Sequence, residues 1–160
     1  MKVEYINPFI TSVISVFDTM LSTELVRGQP FSKGSHTPEH DISGMIGLSG
    51  KAKGTVVLSL SRATALSATE VLLGQRPLAI DEDVVDAVGE LANMIAGGAK
   101  AQLEQLALRV SLPTVITGKN LSVDFPSSVS PVCIPFDCPL GDVTVEVGLV
   151  DQPASVPAAV

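Results

Sequence analysis

The sequence predicts a single α/β (α+β) domain in which long helices pack on a largely antiparallel sheet. The 160 residues are 46% hydrophobic, with no Trp and one Tyr, so they can bury one substantial core built mainly from Val, Leu, Ile and Ala. Segments with helical and strand periodicity follow in the order helix, hairpin, two helices, three strands. That order is typical of mixed domains.

The first predicted helix begins at Asn7, whose side chain can cap it, with Pro8 in the first helical position. Proline suits that position because its φ is already helical and no needed N–H is lost. Apolar residues recur at helical spacing until the pattern ends before Gly28. The polar passage Phe31 to His40 follows, with a short strand expected near its start.

The middle of the chain predicts a β-hairpin followed by a second helix. Two strand-like runs, about Ile42 to Ser49 and Thr55 to Ser61, are joined by the five-residue loop Gly50 to Gly54. Ser61 can also cap the helix that follows, and this helix is expected to stop at Gly74.

The longest predicted helix runs from about Glu82 to Ala107, with Asp81 as its cap and acidic residues that favour the positive end of the helix dipole. At about 100° per residue, its apolar side chains cluster in one direction. They are Val84, Val88, Leu91, Ala92, Ile95, Ala99 and Leu106. Almost opposite lie Asp83, Asp86, Glu90, Asn93, Gly97 and Glu104. The first set is predicted to face the core and the second set to face away from it.

Three further strands complete the predicted sheet. They are Val110 to Thr117, Val132 to Phe136 and Val143 to Val147. The last strand alternates cleanly, and Pro139 to Asp142 has the composition of the turn in a closing hairpin. Residues 151–160 have no periodicity, so we expect a domain spanning 1–150 and a flexible C-terminal tail.

Charge and composition argue against several functional classes. A net charge of −7, with ten scattered Lys and Arg residues, would repel a phosphate backbone, so nucleic acid is a poor partner. The apolar stretch Ile6 to Phe17 is too short for a membrane span and lacks the pattern of a secretory signal, so a cytoplasmic protein is expected. Cys133 and Cys138 lie outside any CxxC motif and are expected to be reduced, partly buried thiols rather than a disulfide or a zinc site.

Glu90 and Asn93 form a polar pair on the outward face of the long helix. Residues three apart are neighbours there, about 4.5 Å apart along the axis, so both side chains can act on one small target. Asn is a mediocre helix former, and Gly89, Gly97 and Gly98 each cost up to about 1 kcal/mol relative to Ala. Glycines would flatten the surface for another backbone. The alternatives are a solubilising polar face and, for Gly98 above all, internal packing.

The segment DAVGELANMIAGGAK, residues 86–100, resembles the signature helix of the CheC/CheX/FliY chemotaxis phosphatases, a Glu-x-x-Asn pair flanked by small residues. The single copy of the pair, the opening helix INPFITSVISVFDTML and the element order resemble the CheX type rather than CheC, which carries two pairs. The specificity of the resemblance comes from the longer match GELANMIAG and its place after helix, hairpin and helix.

The resemblance implies a phosphatase that acts on the aspartyl phosphate of a CheY-like response regulator. By position in the motif, Asn93 would orient the attacking water, and Glu90 would dock against the active-site lysine of the receiver domain. The predicted partner-binding face comprises Asp86, Gly89, Glu90, Asn93, Gly97 and Lys100. The chain itself would bind no metal or cofactor, since Mg²⁺ would belong to the receiver. A homodimer formed through sheet edges is also implied.

An acid and an amide suffice for this chemistry. An acyl phosphate is already activated, and phosphoryl transfer needs mainly positioning and charge compensation. A carboxamide holds a donor and an acceptor in one plane, so it can fix a water molecule and is not switched off by protonation near neutral pH. No Lys or Arg lies at positions 86, 87, 93 or 94, and Lys100 is too far along the helix to pair with Glu90.

Two rival motifs are weaker, and a second class of function stays open. HTPEH, residues 36–40, fits the H-x-x-E-H zinc pattern, but Pro38 opposes the helix which that pattern requires. GLSGKAKG hints at a phosphate loop, but the spacing from Gly44 to Gly50 is one residue too long and Ala52 replaces the magnesium-binding Ser or Thr. A hairpin tip explains it better. The alternative to an enzyme is a non-catalytic adaptor that binds a receiver or a flagellar-switch component.

Overall fold

An antiparallel sheet with helices on one face organises the chain in the computed structural model. The structure describes residues 1–34, 38–118, 121–125 and 129–154. The helices are α1 (Val3–Leu21), α2 (Arg62–Leu73) and α3 (Glu82–Gln102), followed by a 3-10 helix at Glu104–Leu106. The strands are β1 (Val26–Arg27), β2 (Phe31–Ser32), β3 (Ile42–Ser49), β4 (Ala52–Leu60), β5 (Arg109–Val110), β6 (Thr114–Thr117), β7 (Val132–Cys138) and β8 (Gly141–Asp151).

The sheet confirms the predicted fold class, because every pairing among the described strands is antiparallel. Its order is β1–β7–β8–β4–β3–β5, with β2 also paired to β7 and β6 also paired to β3. At the centre, Val57 of β4 lies between Met45 of β3 and Glu146 of β8. Alternate side chains point to opposite faces, so each long strand contributes to two separate layers.

The main core lies between the sheet and the helices. It includes Phe9, Val13 and Phe17 of α1, Val88, Leu91 and Ile95 of α3, Val56, Leu58 and Leu60 of β4, and Val143, Val145 and Val147 of β8. The predicted apolar face is confirmed, because its seven residues are buried, six of them in α3 and Leu106 in the 3-10 helix that follows. The polar stripe of α3 therefore faces away from the core.

Two close contacts hold α3 against its neighbours. On the sheet side, a Cβ at Gly44 of β3 would lie 2.9 Å from the Ala92 Cβ and 3.1 Å from the Val88 carbonyl oxygen. On the α1 side, a Cβ at Gly98 would collide with the Oγ atom of Ser12, which is buried. Both positions admit only glycine without rearrangement. The distance of α3 from its neighbours and its rotation about its own axis are therefore both constrained. Internal packing is confirmed for Gly98.

The opposite face of the sheet is covered by loop segments. Val57 packs there against Val123 and Phe125. The Lys33 ammonium lies 2.6 Å from a Glu146 carboxylate oxygen, and the two side chains are only 3% and 2% exposed. Buried charges are tolerated when they are paired, so this ion pair anchors the segment that precedes β3 to the sheet.

Local start and stop signals predicted α2 and the start of α3 correctly. The Ser61 side chain accepts a hydrogen bond from the Thr64 N–H, and the Asp81 carboxylate accepts one from the Val84 N–H. α2 ends at Gly74, whose φ of +77° suits a residue without a Cβ. The short strand expected after residue 30 is β2.

The predicted start of α1 at Asn7 is wrong. The helix begins at Val3, so Pro8 lies inside it. The extra turn is held by a distant contact, because the hydroxyl of the buried Tyr5 donates to the carboxylate of Asp151. The Lys2 ammonium first, and then this hydroxyl, hold the pKa of Asp151 below its usual range. No local signal near residue 3 reveals this partner.

The predicted end of α3 near Ala107 is also wrong. The helix stops at Gln102, and the chain turns through the 3-10 helix to Ala107, whose φ is +47°. Leu106 is buried all the same. The periodicity therefore predicted its burial correctly but not the conformation that achieves it.

The bounds of several strands differ from the prediction. The β3–β4 hairpin is confirmed, but β4 begins at Ala52 instead of Thr55, because its first residues pair with β8. The predicted strand Val110 to Thr117 is interrupted at residues 111–113.

The closing hairpin is confirmed with longer strands. Asp151, assigned to the tail from the sequence, is the last residue of β8. Residues 155–160 lie outside the described residues, so the domain boundary stays a prediction.

Adjacent glycines of α3 should respond in opposite ways to alanine. Gly98→Ala should lower the free energy of unfolding by about 1–2 kcal/mol, because the new Cβ displaces the Ser12 hydroxyl from its 2.7 Å hydrogen bond to the Ile95 carbonyl. Gly97→Ala has open space and should raise that free energy by up to about 1 kcal/mol through helix propensity. Urea denaturation of both variants measures the difference. Equal stabilities would contradict the proposed contact.

Candidate active site

The outward stripe of α3 carries the candidate site residues. Glu90 is exposed and Asn93 is half-buried. They lie about 4.5 Å apart along the helix axis, on neighbouring turns of one face. Leu91 and Ile95, on the other side of the helix, are fully enclosed, so α3 cannot rotate to bury the pair. The core thus determines the direction in which both polar groups point.

Both polar groups are free to bind something outside the chain. Within the described residues, neither the Glu90 carboxylate nor the Asn93 carboxamide takes part in a hydrogen bond or an ion pair. Lys100 is exposed and forms no ion pair in this part of the chain, as its spacing from Glu90 predicts. The donor and acceptor atoms of the pair are therefore available to water or to a partner.

Two shallow grooves flank the pair. One groove, of about 540 Å³, is lined by Asn93, Gly97, Lys100, Ala101, Glu104, Ala107, Leu108 and Val110. The other is lined by Val85, Asp86, Gly89, Glu90, Pro113 and Val115. Both grooves are open, and Asn93 lines one while Glu90 lines the other. An open surface of this kind suits contact with a protein better than enclosure of a free metabolite.

The glycines of the predicted partner-binding face have different roles. Gly97 is exposed, with open space where a side chain would project. Gly89 is buried, and a Cβ there would lie 3.3 Å from Val115 and 3.6 Å from Pro113. The segment before β6 thus packs against Gly89, which also lines the groove that contains Glu90, and its contact with a partner stays a prediction. Asp86 is exposed like Gly97.

Segment 111–113, which joins β5 to β6, was missed by the sequence analysis. The sequence pattern predicted one continuous strand here, whereas Pro113 packs beside Gly89 and shares a groove with Glu90. A proline within an apparent strand was the available signal, because it cannot donate to a sheet ladder.

The rival phosphate-loop motif does not form a phosphate site. Residues 44–49 belong to β3, and Gly50 lies in the turn, so the predicted hairpin tip is confirmed. For the rival zinc motif, His36 lies outside the described residues. The backbone N–H of His40 donates to the Ser59 hydroxyl.

One cluster brings possible metal ligands together on the opposite face of the sheet. Ligand atoms of Glu39, Cys133 and Glu146 lie within 4.8 Å of one another. The Lys33 ammonium lies 3.1 Å from Glu39 and 2.6 Å from Glu146, so a cation already compensates both acids. Burial first, and then the Glu146 charge, raise the pKa of Cys133 to about 12, which keeps the thiol neutral. Both Cys133 and Cys138 are free, which confirms the predicted absence of a disulfide between them.

No described helix combines the length and the apolar character that a membrane crossing requires.

Known proteins resemble this chain in sequence and in structure. The family model for the chemotaxis phosphatase CheX matches residues 42–137. The CheY-P phosphatase CheX of Thermotoga maritima is 31% identical over 126 residues, which cover 77% of this chain and 81% of the relative. A CheC-like superfamily protein from Shewanella sp. PV-4 is 35% identical and superposes with a TM-score of 0.85, covering 94% of this chain and 99% of the other.

A fourth match extends the likeness in fold. CheX in the CheX–CheY–BeF3–Mg²⁺ complex of Borrelia burgdorferi is 24% identical and superposes with a TM-score of 0.79, covering 94% of this chain and 100% of the other. The family model covers more than half of the chain, and the Thermotoga relative matches most of its length. This chain therefore belongs to the CheX family of chemotaxis phosphatases.

Proposed function

We propose that this protein hydrolyses the aspartyl phosphate of a CheY-like receiver domain by means of Glu90 and Asn93. The observation that carries this proposal is that an acid and an amide stand unengaged on the outward face of a helix whose other face is locked into the core. The family supports the reaction, since its Thermotoga member is a CheY-P phosphatase. The two open grooves that Asn93 and Glu90 line suit a protein substrate.

Asn93 positions the water that attacks phosphorus. Its carboxamide oxygen accepts a hydrogen bond from that water, which leaves a lone pair of the water directed at the phosphorus in line with the leaving aspartate. Holding the water replaces an entropically costly search, and misplacement by about 1 Å can cost about 100-fold in rate. The half-buried position of Asn93 limits the rotamers that the amide can adopt.

Glu90 holds the receiver in register. Its exposed carboxylate has no cation of its own chain within the described residues, so it can form an ion pair with the active-site lysine of a receiver. An ion pair across an interface favours one orientation of the partner and disfavours others. The two residues therefore have separate roles. Glu90 aligns the substrate protein, and Asn93 aligns the water.

Charge compensation on the phosphoryl group comes from the receiver. The Borrelia CheX forms a complex with CheY, BeF3 and Mg²⁺, which supports a CheY-like partner and a magnesium ion on the receiver side. In this chain the mechanism asks only for an oriented carboxamide and a carboxylate, so we propose that it binds no metal or cofactor of its own.

The assembly and the location of the protein are part of the same proposal. We expect a homodimer formed through sheet edges, because each of the short edge strands β1, β2, β5 and β6 pairs with a single strand among the described strands. We also expect the protein in the cytoplasm, where its free thiols remain reduced and a receiver substrate is found.

Asn93→Ala should remove turnover and leave binding intact. We expect kcat for phosphate release from phosphorylated receivers to fall at least about 100-fold, because no other group holds the water. Asn7→Ala, the same change at an exposed position of α1, should retain wild-type kcat. Phosphate release is measured across a panel of CheY-like receivers phosphorylated with acetyl phosphate.

Equal decay of every phosphorylated receiver with and without the wild-type protein would reject the phosphatase function. If those receivers still bound, the protein would be an adaptor of the same fold, and Asn93→Ala would then change neither binding nor decay. A loss of kcat in Asn7→Ala as large as that in Asn93→Ala would point to a general defect instead.

Glu90→Gln should weaken recognition of the receiver. The change keeps the shape of the side chain and removes its charge, so we expect KM to rise about tenfold or more as the ion pair to the receiver lysine is lost. The salt dependence of KM should also diminish. Glu82→Gln, in the first turn of α3, is the matched control. An unchanged KM in Glu90→Gln would contradict the docking role of this carboxylate.

A further inference from the structure

Leu112 is an apolar side chain that the fold leaves in solvent. It is 87% exposed in the segment between β5 and β6. Among the described large apolar residues only Leu78, in the α2–α3 connection, is more exposed, at 94%. An exposed leucine on its own needs no explanation. Its setting beside the candidate active site is what distinguishes Leu112.

The segment that carries Leu112 is held firmly. The Ser111 N–H donates to the Gly47 carbonyl at 2.9 Å, and the Gly47 N–H donates to the Ser111 Oγ at 2.8 Å. The Ser111 hydroxyl in turn donates to the Leu112 carbonyl at 2.8 Å. Pro113 further restricts the backbone of the leucine that precedes it. The exposure of Leu112 is therefore built into the fold, and little conformational freedom is lost when it meets a partner.

The same segment borders both grooves of the candidate active site. Val110, on one side of Leu112, lines the groove that contains Asn93. Pro113, on the other side, lines the groove that contains Glu90. Leu112 therefore lies in the stretch of chain that runs alongside the catalytic pair.

The size of a typical protein interface makes contact with this stretch expected. A stable complex buries about 800 Å² on each partner, the area of a disc of about 16 Å radius. A receiver that brings its phosphorylated aspartate to Asn93 must centre this area near the catalytic pair. Val110 and Pro113, on either side of Leu112, line the grooves that contain Asn93 and Glu90, so we expect such a footprint to reach Leu112.

We propose that Leu112 is an apolar docking residue for the phosphorylated receiver, and this inference rests on the proposed function. The exposed carboxylates of Asp86 and Glu90 line the groove to which Pro113, the next residue after Leu112, also contributes. The receiver surface that fits Leu112 is an apolar depression bordered by basic groups. Burying the leucine stabilises the complex before and during the reaction alike, so Leu112 acts on KM and not on kcat.

The test compares Leu112→Ser with Leu78→Ser, the same change at a similarly exposed leucine whose neighbours in the chain line neither groove. With a phosphorylated CheY-like receiver that the wild type hydrolyses, Leu112→Ser should raise KM about tenfold, which corresponds to about 1.4 kcal/mol, and change kcat by less than about twofold. Leu112→Ala should give a smaller rise in KM, and Leu78→Ser should give none.

Three results would overturn the proposal. An unchanged KM in Leu112→Ser would mean that the receiver does not touch this residue. A fall in kcat at constant KM would mean that the segment acts through the position of Asn93. A change in sedimentation mass accompanying Leu112→Ser would mean that a second copy of the chain covers the leucine.

If the wild type releases phosphate from no receiver, the proposed phosphatase function fails, but the docking role of Leu112 can still be tested. Titration of BeF3-treated receivers against both proteins then decides the docking role of Leu112. A Kd about tenfold weaker for Leu112→Ser than for the wild type would support that role. Equal affinities, or no binding by the wild type, would reject it.

Discussion

The structure depends on the burial of one face of α3 between the sheet and α1. Gly44 lets the helix approach β3, and Gly98 lets it approach Ser12 of α1, so the helix has no freedom to slide or turn. A helix packed in this way presents Glu90 and Asn93 on the side that faces away from the core. Both side chains thereby gain a defined direction, although neither takes part in a hydrogen bond or an ion pair within the described residues.

This arrangement suits a reaction that needs positioning of the reactants more than a strong acid, base or nucleophile. An acyl phosphate is already activated, so the enzyme's task is to hold one water and one partner in register. A rigid helix meets that need by holding both side chains in a defined direction. The grooves beside the pair are open, as the proposed docking of a receiver domain requires. Specificity then depends on residues around the pair, of which Leu112 is the most exposed apolar one described.

Helical periodicity identified much of the candidate site. It placed Glu90, Asn93 and Gly97 opposite the core, because a residue's face follows from its position on a regular helix. It could not reveal that Gly89 lies beneath Pro113, since that contact joins residues 24 positions apart in the sequence. The interruption between β5 and β6 was not predicted for the same reason, because its conformation depends on hydrogen bonds between Ser111 and Gly47.

By itself the sequence determined the fold class, the caps at Ser61 and Asp81, and the buried face of α3, because each follows from interactions between residues a few positions apart. Only the tertiary structure decided where α1 begins and how far β4 extends. Tyr5 finds its partner at Asp151, and Ala52 pairs with that same residue on β8. Contacts between residues far apart in the sequence leave no local pattern, so these boundaries emerge only when the sheet has formed.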